Sequence, residues 1–173
     1  MKTVGYFTTP RLDELEVQTV RKAFDTNLEW LDNSYPIVHA QDDEDETYPV
    51  VYFQDGSWDS IDLRPDDDVD SYCFFESISF EVGDQDDINT YNLSASFWVN
   101  LEKMDTAIDE DYTSRLISDV VRVLKLKDAG SITIDYDPFS SFNFAHNLLR
   151  RYTGFKVSFV IYGNNNACDF NVT

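Results

Sequence analysis

Apolar residues near the start of the chain recur at helical spacing, with Leu12, Leu15, Val20, Phe24, Leu28 and Leu31 on one stripe. Thr9 and Pro10 precede them as a hydroxyl cap and a first-turn proline, and Asp13 and Glu14 sit near the positive end of the helix dipole. The spacing predicts a helix over residues 10–31. Asp32-Asn33-Ser34-Tyr35-Pro36 then gathers turn formers, and proline disfavours helical backbone in the residue before it, so the helix is expected to end there.

The period then changes to two. The short apolar segment YPVVYF, residues 48–53, followed by Gln-Asp-Gly-Ser, suits a strand and a tight reversal, with WDSIDLR, 58–64, as its partner. In YCFFESISFEV, 72–82, Phe74, Ile78, Phe80 and Val82 fall on one face, with Ser77, Ser79 and Glu81 on the other, as in a half-buried strand. The clearest alternation is TYNLSASFWVNLE, 90–102: Tyr91, Leu93, Ala95, Phe97, Val99 and Leu101 share one face, and only Trp98 interrupts the polar face opposite. A lone Trp on a polar face suits a contact anchor.

Asp109-Glu110-Asp111 leads into a second helix, about 112–126, with a buried stripe of Leu116, Ile117, Val120, Val121 and Leu124. Arg122, Lys125 and Lys127 stand at its negative end, with Gly130 beyond. SITIDY, 131–136, and FKVSFVIY, 155–162, alternate again, and the stretch between them reads as a short helix closed by Gly154. Short turns between strands favour antiparallel pairing. The expected fold is α+β: a mainly antiparallel sheet with an N-terminal helix and a second helix packed on one face, in a single domain over 1–173 with an acidic, loop-rich insertion at about 41–70.

Charge changes the picture most. The chain carries 33 acids against 13 Lys and Arg, a formal charge of -20, so most of its surface would repel nucleic-acid phosphates. Residues 41–90 hold 17 of those acids and one base, Arg64. Such a block is expected to be a solvated rim, a surface for a basic partner, or a mimic of the DNA backbone. Cys73 and Cys168 match no metal or redox spacing and read as reduced, small apolar side chains. MKTVGYFTTP lacks the apolar run of a signal peptide and no stretch is apolar enough to cross a bilayer, which predicts a chain kept in a cytosol or in a particle assembled there.

Motifs for chemistry are sparse. An EF-hand frame begun at Asp66 places acids at positions one, three and five, but Ser71 replaces the glycine at six and Ser77 the glutamate at twelve. His39 and His146 belong to no triad or zinc pattern, and in so acidic a chain carboxylate pairs arise by chance. With six glycines and no phosphate loop, neither an enzyme nor a cofactor is expected.

The order of elements and the closing segment LLRRYTGFKVSFVIYGNN resemble the tail-terminator and head-to-tail connector proteins of tailed bacteriophages. The ending YTGFKVSFVIY is similar to neck-ring proteins of the crAss-like phages, and the resemblance covers roughly residues 47–162. It implies a structural virion protein, assembled in the bacterial cytoplasm: a homo-oligomeric ring contacting adjacent neck or tail proteins, with DNA passing through without specific binding and no membrane role. On that reading Arg115, Arg122, Lys125, Arg150, Arg151 and Lys156 form the basic side of subunit contacts. Asp42, Asp43, Glu44, Asp45 and Glu46, with Asp66, Asp67, Asp68 and Asp70, form the opposing side or line the channel, and Trp98 is the hydrophobic anchor. The rival expectation is an acidic DNA mimic that inhibits a host defence protein.

Overall fold

A computed structural model describes residues 12–42, 47–52, 58–60, 70–83, 88–101, 103–104, 112–135 and 152–164. In chain order these form α1 (Leu12–Asn27), β1 (Asn33–Asp42), β2 (Thr47–Tyr52), β3 (Trp58–Ser60), β4 (Ser71–Glu81), β5 (Ile88–Asn100), α2 (Tyr112–Leu126), β6 (Gly130–Asp135) and β7 (Tyr152–Asn164). The strands make one seven-stranded sheet in the order β3-β2-β1-β4-β5-β7-β6. Every neighbouring pair is antiparallel except β1 and β4. The α+β class expected from the sequence is therefore the observed one, with both helices sharing the core on one face.

The alternation of β5 explains its central position. Tyr91, Leu93, Ala95, Phe97 and Val99 face the helices and are buried, and β5 pairs along its length with β4 and β7. Phe155, Val157, Phe159 and Ile161 of β7 continue that face. From α1 come Val17, Val20, Ala23 and Phe24, and from α2 Leu116, Ile117, Val120, Val123 and Leu124. The rings interlock, with Phe97 stacked on Phe155 at 4.8 Å and tilted against Phe24 at 5.6 Å and Trp30 at 6.0 Å.

Several boundaries and faces differ from the sequence reading. Helix α1 stops at Asn27, and the segment Asn33–Asp42 is a strand where a turn was expected. Pro36 is accommodated because the β1–β4 register shifts between Ser34 and Ile37, so the ladder needs no N–H from it. Ser71 at the start of β4 holds the intervening chain: its hydroxyl donates to the Trp30 carbonyl and accepts from the Asp32 amide at 2.9 Å. Leu15 is exposed, while Glu14, Gln18 and Arg21 are buried in its stead.

In α2, Val123 is buried and Val121 is half-buried. That helix ends in a left-handed residue, Asp128 (φ 55°), with the Ala129 amide bonded back to the Leu124 carbonyl at 3.1 Å. This is a Schellman-type stop reached two residues before Gly130. The Thr9-Pro10 cap, the 109–111 acids and the short helix expected between β6 and β7 lie outside the described residues.

The four apolar side chains assigned to one face of β4 do not share a face. A bulge between Ser77 and Ser79 lets Phe74 pair with Ser96 on the open face and Phe80 with Tyr91 on the helix face. The true core residues of β4 are Cys73 and Phe75. Cys73 is a free, buried thiol, and burial pushes its pKa far above the usual range, with Asp25 adding to the rise and Arg21 opposing it. It is inert packing, as read from the sequence.

Candidate interaction surfaces

Once α2 has turned its apolar stripe into the core, its outer face is left toward the sheet's β6 edge. Ser114, Ser118, Val121, Arg122, Lys125 and Leu126 of α2, with Ile134 of β6, bound a groove of about 590 Å³. Ile117 lines it from the core side. Leu126 is 71% exposed, and Ile134 also reaches solvent. Arg122 donates to Asp119 at 3.1 Å, an exposed i,i+3 pair that leaves its cationic head at the surface. Lys125 is exposed beside it, and Arg115 is exposed on the same helix. The groove is therefore mostly apolar, with Ser114 and Ser118 on its helix side and Arg122 and Lys125 at its rim. The Thr113 and Thr153 hydroxyls, 2.8 Å apart, fix the start of α2 to β7 and so hold the helix over that half of the sheet.

Further apolar residues are exposed where β4, β5 and β7 end together. Ile78 is 58% exposed, Val82 61% and Tyr162 60%, and Phe80 and Ile88 join them. Register divides them between the two faces: Phe80 lies opposite Tyr91 on the helix face, with ring centroids 5.0 Å apart, whereas Tyr162 pairs with Thr90 on the open face, which Ile88 shares. Alternation alone assigns Ile78, Phe80 and Val82 to one buried face, whereas all three reach solvent.

The open face of the sheet is occupied differently. Glu76 of β4 accepts from the Ser94 hydroxyl of β5 at 3.1 Å and is ion-paired with Lys156 of β7, so two strands are tied across the one between them. Asn92 donates to the Ser79 hydroxyl at 2.8 Å farther along. Next to this polar ladder, Tyr72, Phe74 and Trp98 form a small second cluster with Tyr35 and Val38.

Trp98 is therefore not the exposed anchor expected from the sequence. It is 3% exposed, because Tyr72 and Phe74 bring apolar side chains to the face that β5 alone presents as polar. Lys156 is engaged within the chain by Glu76. Asp70 holds Lys103 at 3.2 Å, and its carbonyl accepts from the Asn100 amide at 2.7 Å, closing the sheet end where β4 begins. Arg115, Arg122 and Lys125 share α2, whereas Asp42 closes β1 at the opposite half of the sheet. The remaining acids, Asp43 to Glu46 and Asp66 to Asp68, and the bases Arg150 and Arg151 lie outside the described residues.

Searches of protein-family models, curated proteins and solved structures find no match to this chain. Among the described residues there is no group of three or more His, Cys, Asp or Glu able to hold a metal ion, and no helix long and apolar enough to cross a membrane.

One titrating group bears on stability. Glu16 of α1 is held near the end of β7, where a Cβ on Gly163 would lie 2.9 Å from its carboxylate oxygen and 2.8 Å from the Tyr91 ring. Burial raises its pKa above the ordinary 4.5. The folded chain then binds that proton more tightly than the unfolded chain, so stability is lost as pH rises from 4.5 through the raised value. Glu16→Gln is expected to melt higher than the parent at neutral pH and to lose that advantage below 4.5, as checked by thermal melts across the acid range.

Proposed function

We propose that this chain is a non-enzymatic structural subunit of a tailed-phage neck or tail, a homo-oligomeric ring that joins neighbouring rings and leaves a channel for DNA. The observation that carries the reading is the uneven charge of the chain, acidic over the sequence stretch 41–90 and basic on the outer face of α2. Strands β2 and β3, at one edge of the sheet, fall within the sequence stretch 41–90 with its 17 acids and single base. At the other end, α2 over β7 and β6 presents Arg115, Arg122 and Lys125. A chain with different, complementary surfaces at its two ends suits head-to-tail contacts, which close into a ring when the rotation per subunit allows.

The net charge of -20 is consistent with the channel role, because repulsion lets a duplex slide without adhering. The resemblance of the element order and closing segment to connector and tail-terminator proteins points the same way. The virion is then the place of action.

The test is native mass spectrometry of the purified full chain together with negative-stain imaging. Closed rings of defined copy number are expected. A monomer at every concentration, binding a basic host enzyme in competition with DNA, would replace this reading with the DNA mimic.

A further inference from the structure

Strand β6 closes one side of the sheet, and its sequence does little to protect that edge. The opposite edge, β3, is only three residues long, Trp58–Ser60, which leaves almost no ladder for another chain to extend. β6 runs for six, Gly130–Asp135. A bulge with Ser131 in a left-handed conformation (φ 48°) disturbs its start, and the pairing with β7 is regular from Thr133 to Asp135. Ile132, Thr133 and Ile134 are β-branched, and the strand contains neither proline nor lysine, the residues that commonly keep an edge unpaired. Among the described residues no strand pairs with its outer side.

Register also fixes what lies beside that edge. Ile134 is opposite Val157 of the core, so it faces the helices and forms the floor of the groove with Ile117, Val121 and Leu126 of α2. Thr133, opposite Ser158, faces the open side. Arg122 and Lys125 stand at the rim, and the residues lining the groove include no acid. In a chain with 33 acids against 13 Lys and Arg, that is a local inversion of charge. Asp119 pairs with one amino group of Arg122, whose side chain stays exposed.

We propose that this edge and groove take an extended acidic segment of another protein, paired along β6 as an added strand, with an apolar side chain against Ile134 and Val121 and carboxylates toward Arg122 and Lys125. The open edge supplies backbone donors and acceptors to any extended chain, the floor selects apolar side chains at alternate positions, and the rim selects negative charge. A small anion would engage the rim alone, whereas a polypeptide uses all three. The proposal goes beyond the ring reading and does not depend on it.

The test is fluorescence anisotropy of the full chain with a short labelled peptide that alternates threonine, for the open face, with glutamate and valine, for the groove. Saturable binding that weakens as salt is raised is expected. A counterpart with lysine in place of glutamate is expected to bind about tenfold more weakly or worse. Ile134→Asp, and separately Arg122→Glu with Lys125→Glu, should each weaken the acidic peptide by about tenfold or more, with circular dichroism checking the parent fold. Methylating the peptide nitrogens at one alternate set of positions should abolish binding, and at the other set leave it largely intact, because only one set faces β6. The proposal falls if the acidic peptide does not bind, if the lysine peptide or the folded variants bind as well, or if the two methylated peptides behave alike. If native mass instead shows the parent assembling through this groove, with Ile134→Asp dispersing the assembly, the occupant is a second copy, and the acidic-segment proposal falls while the ring reading stands.

Discussion

Replacing Phe97 with alanine is expected to destabilise the fold by about 3–5 kcal/mol, the usual cost of emptying an aromatic core position. In a chain of this length that corresponds to a fall in melting temperature of roughly 10 °C or more. Phe97 is fully buried on the central strand, stacked on Phe155 of β7 and in contact with Phe24 of α1 and Trp30 just beyond it. One side chain thus joins the sheet, the first helix and the turn into β1. The site cannot collapse easily, because β5 is paired on both sides and its backbone is fixed. Phe97→Leu should cost clearly less, since it leaves a smaller void. Chemical denaturation of both variants measures the difference, and equal stabilities would mean that Phe97 is not the keystone of the packing.

The second large effect is expected at Arg21. It is 1% exposed on α1, donating from Nη2 to the Ser34 carbonyl of β1 at 2.8 Å and from Nε to the Ser34 hydroxyl at 3.4 Å. That carbonyl lies where the β1–β4 ladder is interrupted ahead of Pro36, so the guanidinium supplies a donor that the sheet does not. Hydrogen bonds to a charged group contribute about 1.5–3 kcal/mol, and Arg21→Ala removes two of them and leaves a void beneath the helix. A loss of about 2–4 kcal/mol is expected. Arg21→Met, which keeps much of the volume, should lose less. Hydrogen exchange should show β1 opening first in either variant; uniform loss of protection would argue against a local role at the α1–β1 junction.

The sequence and the structure agree where pattern is local and diverge where distant strands decide. The alternation of Tyr91 through Val99 and the stripe of α2 were legible because each is set by its own period. Strand β1 was hidden by Asn33, Ser34 and Pro36, all turn formers, and exists because it can lie parallel to β4 nearly forty residues on and receive Arg21 from α1. The faces of β4 were misread because one extra residue between Ser77 and Ser79 inverts the alternation. Trp98 looked exposed because its burial depends on Tyr72 and Phe74 of the neighbouring strand.

Of the candidate site, the cationic residues of α2 could be read directly from the helix pattern. The apolar groove beside them could not, since it needs Ile134 of β6 brought under Leu126. The acidic block from 41 to 90 was visible as composition, and the strand order sets β2 and β3, which fall within it, at the opposite edge of the sheet from β6 and β7.

The central claim is that this chain builds a ring from copies of itself, and native mass spectrometry of the parent protein tests it most directly. A single assembly of defined copy number, dissociating as salt screens the contacts between acidic and basic ends, is the expected result. A species of 20.0 kDa at all concentrations and ionic strengths would contradict it.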